Sequence, residues 1–335
     1  MTRLSQKDYE LRVLRSVYDV DSFDDVTASE GPDFLISRGD GRDPFVVEVT
    51  EVFRSGSDAR LNRLPGYATH LFAGGEPKHK DDYEALALQA VDVENPDGTK
   101  HKGIRAIVSH TPTVDEYRRA VIAAIEAKGT KRVRYNTAVD HVNLIIRDNI
   151  AILVANKYED FSSLILNDEL KFAALGSGFR DVFLVTRIDG SDVYIPLSAS
   201  TLLSEYYMFG EAVIQCDPDD ELELHGDLLV LFAHFLKERG CAPRIRYESE
   251  GIEVLLGGAG LIVETERVVL RTYDGYPLPA SSLKLPPNDD DDCVLSAVLR
   301  KHDDLRQQNM VAASSLAFAV REDIDAPLAE TREDE

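Results

Sequence analysis

The stretch Gly31-Pro32-Asp33-Phe34-Leu35-Ile36-Ser37, the polar segment Arg38 to Asp43, and Pro44-Phe45-Val46-Val47-Glu48-Val49-Thr50 read together as a β-hairpin. Pairing positions whose numbers sum to 81 sets Ile36 opposite Phe45 and Phe34 opposite Val47. Side chains alternate across a strand, so Phe34, Ile36, Phe45, Val47 and Val49 share one face. Asp33, Leu35, Val46, Glu48 and Thr50 share the other. The apolar residues choose this register, and Asp33 and Glu48 meet as a consequence. Their carboxyl carbons are expected about 4 to 6 Å apart.

Two opposed carboxylates repel, and a divalent cation relieves that repulsion while using their oxygens as ligands. Mg²⁺ suits such a pair, together with waters and phosphate oxygens. The competing reading is a polar pair on a solvated face, held by a nearby Lys or Arg. Leu35 and Val46 lie on the same face as the acids, which predicts that this face is covered.

Around the hairpin, Ser5 caps a first helix to about Tyr18, and a loop rich in Asp and Ser leads to Gly31. Residues 55–112 read as irregular, with a short helix near Tyr83 to Val91 and a strand at Gly103 to Ser109. Thr113-Val114-Asp115-Glu116 is a capping box opening an amphipathic helix to Lys128, which Gly129 is placed to end. Val142 to Ile146 reads as a buried strand and Asp160 to Leu175 as a helix. Val182 to Ile188 and Val193 to Leu197 flank the turn Asp189-Gly190. After Gly210 come an acidic link, a helix through Arg239, a β-rich stretch from Arg244 to Tyr273 and a last helix to about Gln308. The expected division is therefore residues 1–210 and residues 211–335.

Pro32-Asp33 with Glu48-Val49-Thr50 resembles the PD-(D/E)XK motif of restriction-endonuclease-like nucleases. The resemblance covers roughly residues 5 to 210. It implies a core of helix, three-stranded meander, helix and further strand, joined here to a second, acidic α+β domain. It also implies Mg²⁺-dependent, or Mn²⁺-dependent, cleavage of phosphodiester bonds, with Asp33 and Glu48 as catalytic metal ligands. Many members carry a further acid on the first helix, and Glu10, on a face with Val13, Leu14 and Val17, fits that place. The family Lys two residues after the Glu is Thr50 here, and a hydroxyl cannot replace an ammonium. In some members the Lys comes from the neighbouring helix. Lys128 fits that role because it follows Val121 and Ile125 on the apolar face. Its other reading is a favourable cation at a helix C-terminus.

Arg118, Arg119, Lys131, Arg132 and Arg134 are candidate contacts to a nucleic-acid backbone, which give affinity without sequence choice. Residues 100–134 carry nine Lys or Arg against three acids, in a chain of net charge -23. Residues 211–335 carry twelve against twenty-seven acids; the overall charge argues against a protein that coats nucleic acid generally, and the acidic half is a candidate surface for a protein partner. Two further functions stay open: a weakened member of the fold that only binds nucleic acid or a partner, and an interaction module built on the acidic half. Three cysteines without paired spacing, no apolar run long enough for a membrane and a polar opening predict a soluble, cytoplasmic protein. Gly257-Gly258-Ala259-Gly260 lies between strands and fails as a dinucleotide fingerprint. Cys216, His225, His234 and Cys241 lack zinc-site spacing.

Overall fold

A computed structural model describes residues 5–39, 43–85, 87–108, 112–135, 139, 141–150, 165–188, 191–216, 226–249, 251–264, 267–273, 285–286 and 292–307. Helix α1 (Gln6–Arg15) starts at Ser5, whose hydroxyl accepts the Asp8 N–H in a reciprocal capping box. Three strands follow as an antiparallel meander: β1 (Asp25–Ala28), β2 (Phe34–Ser37) and β3 (Phe45–Val52). The β2–β3 register is Phe34 opposite Val47, Leu35 opposite Val46 and Ile36 opposite Phe45, the pairing expected from the apolar pattern. Strand β1 replaces part of the loop expected before Gly31. It is an edge strand exposed along most of its length, so burial left no apolar alternation to read.

Between residues 56 and 108 the chain is more regular than expected. Helices α2 (Gly56–Arg63), α3 (Tyr67–Phe72) and α4 (Lys80–Ala85) precede strands β4 (Ala87–Glu94) and β5 (Lys100–Val108), which pair only with each other. The helix expected over Tyr83 to Val91 thus ends early and gives way to a strand. Asp82, wholly buried, ties the helices by accepting from Ser57 Oγ at 2.6 Å, Arg60 Nε at 2.9 Å and Tyr67 Oη.

Helix α5 (Val114–Arg132) opens at Thr113 with the expected capping box. Tyr117, Val121 and Ile125 are fully buried. At about 1.5–3 kcal/mol for each buried aliphatic side chain, this stripe fixes the helix on the sheet. Gly129 does not end α5. A Cβ there would stand 2.9 Å from the Ser177 carbonyl oxygen, so the glycine permits close approach of backbone and the helix runs on to Arg132. Strand β6 (Val142–Asp148) lies parallel to β3, with Glu48 beside Leu144. Helix α6 (Asp168–Gly176) then leads to β7 (Val182–Ile188), parallel to β6, and β8 (Ser191–Pro196), antiparallel to β7. The expected turn residues Asp189 and Gly190, and the start of the helix expected from Asp160, lie outside the described residues. The large sheet therefore runs β1-β2-β3-β6-β7-β8 and the fold is mixed α/β. One face packs on α1 through Val13 and Leu14; the other packs on α5.

Helix α7 (Leu197–Cys216) crosses the boundary expected at residue 210. Its Leu202, Phe209 and Val213 join one core with Phe232 and Phe235 of α8 (Gly226–Glu238) and Val298 of α9 (Asp292–Gln307). The same core takes in the antiparallel sheet β9 (Arg244–Glu248), β10 (Gly251–Leu256), β11 (Ala259–Val263) and β12 (Val268–Thr272). The acidic link at Asp217 lies outside the described residues. Among the described residues no helix is long and apolar enough to cross a membrane.

Candidate functional site

The hairpin register puts Asp33 immediately before β2, at the position facing Glu48 on β3. Asp33 Oδ2 accepts the backbone N–H of Val49 at 2.9 Å, which holds the aspartate against β3 beside Glu48. Its other oxygen, Oδ1, takes Lys7 Nζ at 2.8 Å. Glu48 is 6 % exposed and is salt-bridged to Lys128. Lys128 Nζ also lies 3.5 Å from the Val49 carbonyl oxygen. The side chain that extends the Tyr117, Val121, Ile125 stripe by one turn is thus the one that reaches the acid on the sheet.

Glu10 is buried as well, at 8 % exposure. Its Oε1 accepts Gln6 Nε2 at 2.9 Å, and Oε2 lies 2.9 Å from Lys7 Nζ. Lys7 therefore bridges Glu10 and Asp33 with one ammonium. Burial alone would lower the Lys7 pKa, but its contacts with the two acids outweigh burial and hold it above the ordinary lysine value. Little in the sequence alone marks Lys7 for this place. Its spacing of three from Glu10 was the available signal, but its second partner lies 26 residues away.

Tyr135 borders the same acids. Its hydroxyl is buried close to Glu48. Burial first, then the negative charge of Glu48 and of Asp33, pushes its pKa above the usual phenol range. The Thr50 backbone lies beside Ile146, further along the same strand pair.

The basic candidates fall into separate groups. Arg118 and Arg119 lie at the start of α5, about 15 Å before Lys128 at 1.5 Å per residue. Both are engaged locally: Arg118 Nη1 donates to Asp115 Oδ1 at 2.9 Å and Arg119 Nε to the Asp115 carbonyl at 3.3 Å. Lys131 and Arg134 are exposed near Lys128. Arg132 turns away from them and lies over the Phe179 ring, 5.9 Å from its centroid.

Among the described residues, no three His, Cys, Asp or Glu side chains stand together as a metal-holding group. Glu10 is directed to Lys7 and Gln6, Asp33 to Lys7 and the Val49 N–H, and Glu48 to Lys128. In the second half, His234 Nε2 lies 2.8 Å from the Pro286 carbonyl oxygen, a satisfied histidine rather than a ligand.

Comparison with known proteins gives no match: no family model fits the chain, and neither a curated protein nor a solved structure is similar to it.

Proposed function

We propose that the chain hydrolyses phosphodiester bonds of nucleic acid with a divalent cation held at Asp33 and Glu48, in the manner of restriction-endonuclease-like nucleases. The observation that carries this reading is the reach of Lys128 from α5 to Glu48, two residues before the Thr50 that stands where the family has Lys. The order of α1, the β1–β3 meander, α5 and parallel β6 supports it. So does the covered face on which the acids lie.

The donor set suits Mg²⁺, which needs only one or two protein carboxylates beside water and substrate oxygens. Asp33 and Glu48 supply that number from two strands whose register fixes their separation. A bound divalent ion would lower the pKa of water and offset charge on the phosphate. Lys128 would orient the attacking water and face the negative charge that develops during attack, where a preorganised ammonium is most effective. Lys7 would keep Glu10 and Asp33 from repelling each other, and the Val49 N–H would fix the rotamer of Asp33. Lys131 and Arg134 would hold the strand backbone without reading sequence.

The second reading is binding without cleavage. It draws on Thr50 and on the two lysines that already neutralise the acids, as they would in a purely structural cluster. Incubating the pure protein with single- and double-stranded DNA and RNA, with Mg²⁺, Mn²⁺ or EDTA, separates the two. Cleavage that EDTA abolishes is expected. Binding without cleavage under every cation would leave the second reading.

A further inference from the structure

The described residues line an open cavity of about 490 Å³ at the junction of the two sheets, with neither Asp33 nor Glu48 in its lining. Arg132, His141, Phe179, Arg180, Ser198 and Arg244 line it. In a chain with 60 acids against 37 Lys and Arg, no Asp or Glu is among the described residues that line this space. Arg132, His141, Arg180 and Arg244 contribute to the lining from α5, the segments before β6 and β7, and the start of β9.

Half-burying a guanidinium without a carboxylate beside it carries an electrostatic cost, which a bound anion would offset. Two of the arginines lack an internal partner for that charge. Arg132 Nε is buried without a hydrogen bond among the described residues. Arg244 has only burial acting on it, which pulls its pKa below the ordinary guanidinium value. Arg180, by contrast, already donates to the Tyr273 carbonyl oxygen. Asp181, next to Arg180 in sequence, is wholly buried, and its Oδ1 accepts the Val182 N–H at 2.7 Å.

The backbone around the cavity is shaped for close approach. Gly178 has φ +78°, and a Cβ there would stand 2.8 Å from Arg132 Nη1. Gly257 has φ +58°, and its Cβ would stand 2.7 Å from the Arg180 carbonyl oxygen. Larger residues at either position would be strained and would push against the arginines or their support. The glycine cluster that failed as a dinucleotide fingerprint thus forms part of this wall.

We infer that this cavity is a binding site for a phosphomonoester, the terminal phosphate of a nucleotide or of a strand end, gripped by Arg132 and Arg244. A dianionic phosphate offers the oxygen array that guanidinium forks match, and the cavity volume is that of a small-ligand site. Phe179 and Leu256 give the remainder of such a ligand an apolar wall. This site does not depend on hydrolysis at Asp33 and Glu48.

Calorimetric titration of the full-length protein in EDTA with inorganic phosphate, adenosine 5′-monophosphate, adenosine, and a trinucleotide with or without a 5′-phosphate tests it. The phosphate-bearing probes should bind and adenosine should not. Tighter binding of the phosphorylated trinucleotide than of the monophosphate would assign the strand end; the reverse order would assign the free nucleotide. Arg244→Gln and Arg132→Gln should each weaken binding about tenfold or more, the loss of one charge-assisted contact, while Lys80→Ala, an exposed residue outside the cavity lining, should leave it within about twofold. Circular dichroism checks the folding of each variant. If Arg244→Gln does not fold, Arg244→Lys should retain part of the affinity. No heat from any phosphate probe at millimolar concentration, or equal binding by wild type and folded arginine variants, would overturn the assignment.

Discussion

Lys128 rests on Glu48 at the hairpin, and Lys171 rests on Glu205 beneath α7. The chemistry of the two pairs is the same and their surroundings are not. Lys171 and Glu205 side chains are 8 % and 4 % exposed, and Lys171 Nζ also donates to Ser204 Oγ at 2.7 Å. His302 Nε2 stands 3.4 Å from the second Glu205 oxygen. Burial would raise the Glu205 pKa, but His302 and Lys171 together hold it down at about 2. Lys128 is 18 % exposed and its other near neighbour is one carbonyl oxygen at 3.5 Å. A sealed pair, with Ser204 and His302 packed against it inside the protein, is suited to holding helices together. A pair with one side open can exchange a partner for water or phosphate, so the comparison separates architecture from chemistry.

The largest expected effect sharpens the open side. Asp33→Asn and Glu48→Gln should each lower cleavage at least about a thousandfold, equivalent to about 4 kcal/mol of barrier. From the hairpin alone the melting midpoint would stay constant or rise, because a carboxylate clash is relieved. With Lys7 and Lys128 on the acids, a loss of about 1 kcal/mol or less is expected instead. Retained cleavage in either variant would make the pair structural, like its buried counterpart.

The sealed side should behave in the opposite way. Lys171→Ala leaves Glu205 buried with reduced compensation and should cost about 3–5 kcal/mol in urea denaturation, the usual penalty for breaking a buried pair. The cleavage proposed at Asp33 and Glu48, measured per folded molecule, should not change. A cost below about 1 kcal/mol would erase the contrast between the two regions.

Lys128→Ala comes next. An ammonium that faces developing charge should reduce turnover by about a hundredfold with little change in affinity. Lys131→Ala should instead weaken binding and reduce the salt slope by about one unit. Kinetics at several salt concentrations compare them, and identical behaviour would remove Lys128 from the catalytic machinery.

A smaller effect belongs to a buried acid with no direct salt bridge. Asp148 accepts from the Ile150 N–H at 2.6 Å, Thr186 Oγ1 at 2.8 Å and Tyr117 Oη at 3.0 Å. Burial dominates these bonds and raises its pKa to about 6. A raised carboxyl pKa contributes stability below its unfolded value near 4, and that contribution is lost as pH rises through about 6. Between pH 4 and 7 the wild type should therefore lose on the order of 2 kcal/mol relative to Asp148→Asn. Parallel stability curves for the two proteins would contradict the assignment.

The hairpin was legible because two apolar runs, Phe34 to Ile36 and Phe45 to Val47, flank a polar turn and are bounded by Asp33 and Glu48, and one shift would invert every face. The reach of Lys128 was legible because helical spacing places it over Ile125. Strand β1 was not, since Asp25-Val26-Thr27-Ala28 sits at a sheet edge and satisfies only one neighbour. The role of Lys7 was hidden because a lysine on an early helix turn gives no sign of a partner across the fold. Gly129 misled for a different reason: the same missing side chain serves to end helices and to admit a crossing backbone. Arg132 reads as part of a surface run beside Lys131, and only the position of Phe179 shows that it turns inward.

Helix α7 carries a consequence for the order in which the polypeptide is made. By the time Cys216 leaves the ribosome, the large sheet and its two helical layers have been synthesised. Phe209 and Val213, however, are waiting for Phe232, Phe235 and Val298. Until those residues emerge, the nascent chain displays an apolar helix edge, the kind of surface through which partly made proteins stick to one another. A chain stopped after Cys216 should accordingly pellet unless a chaperone or mild detergent covers α7, and sedimentation after cell-free synthesis reads this directly. A soluble, folded product from that truncation would mean that the first half completes itself before the second arrives.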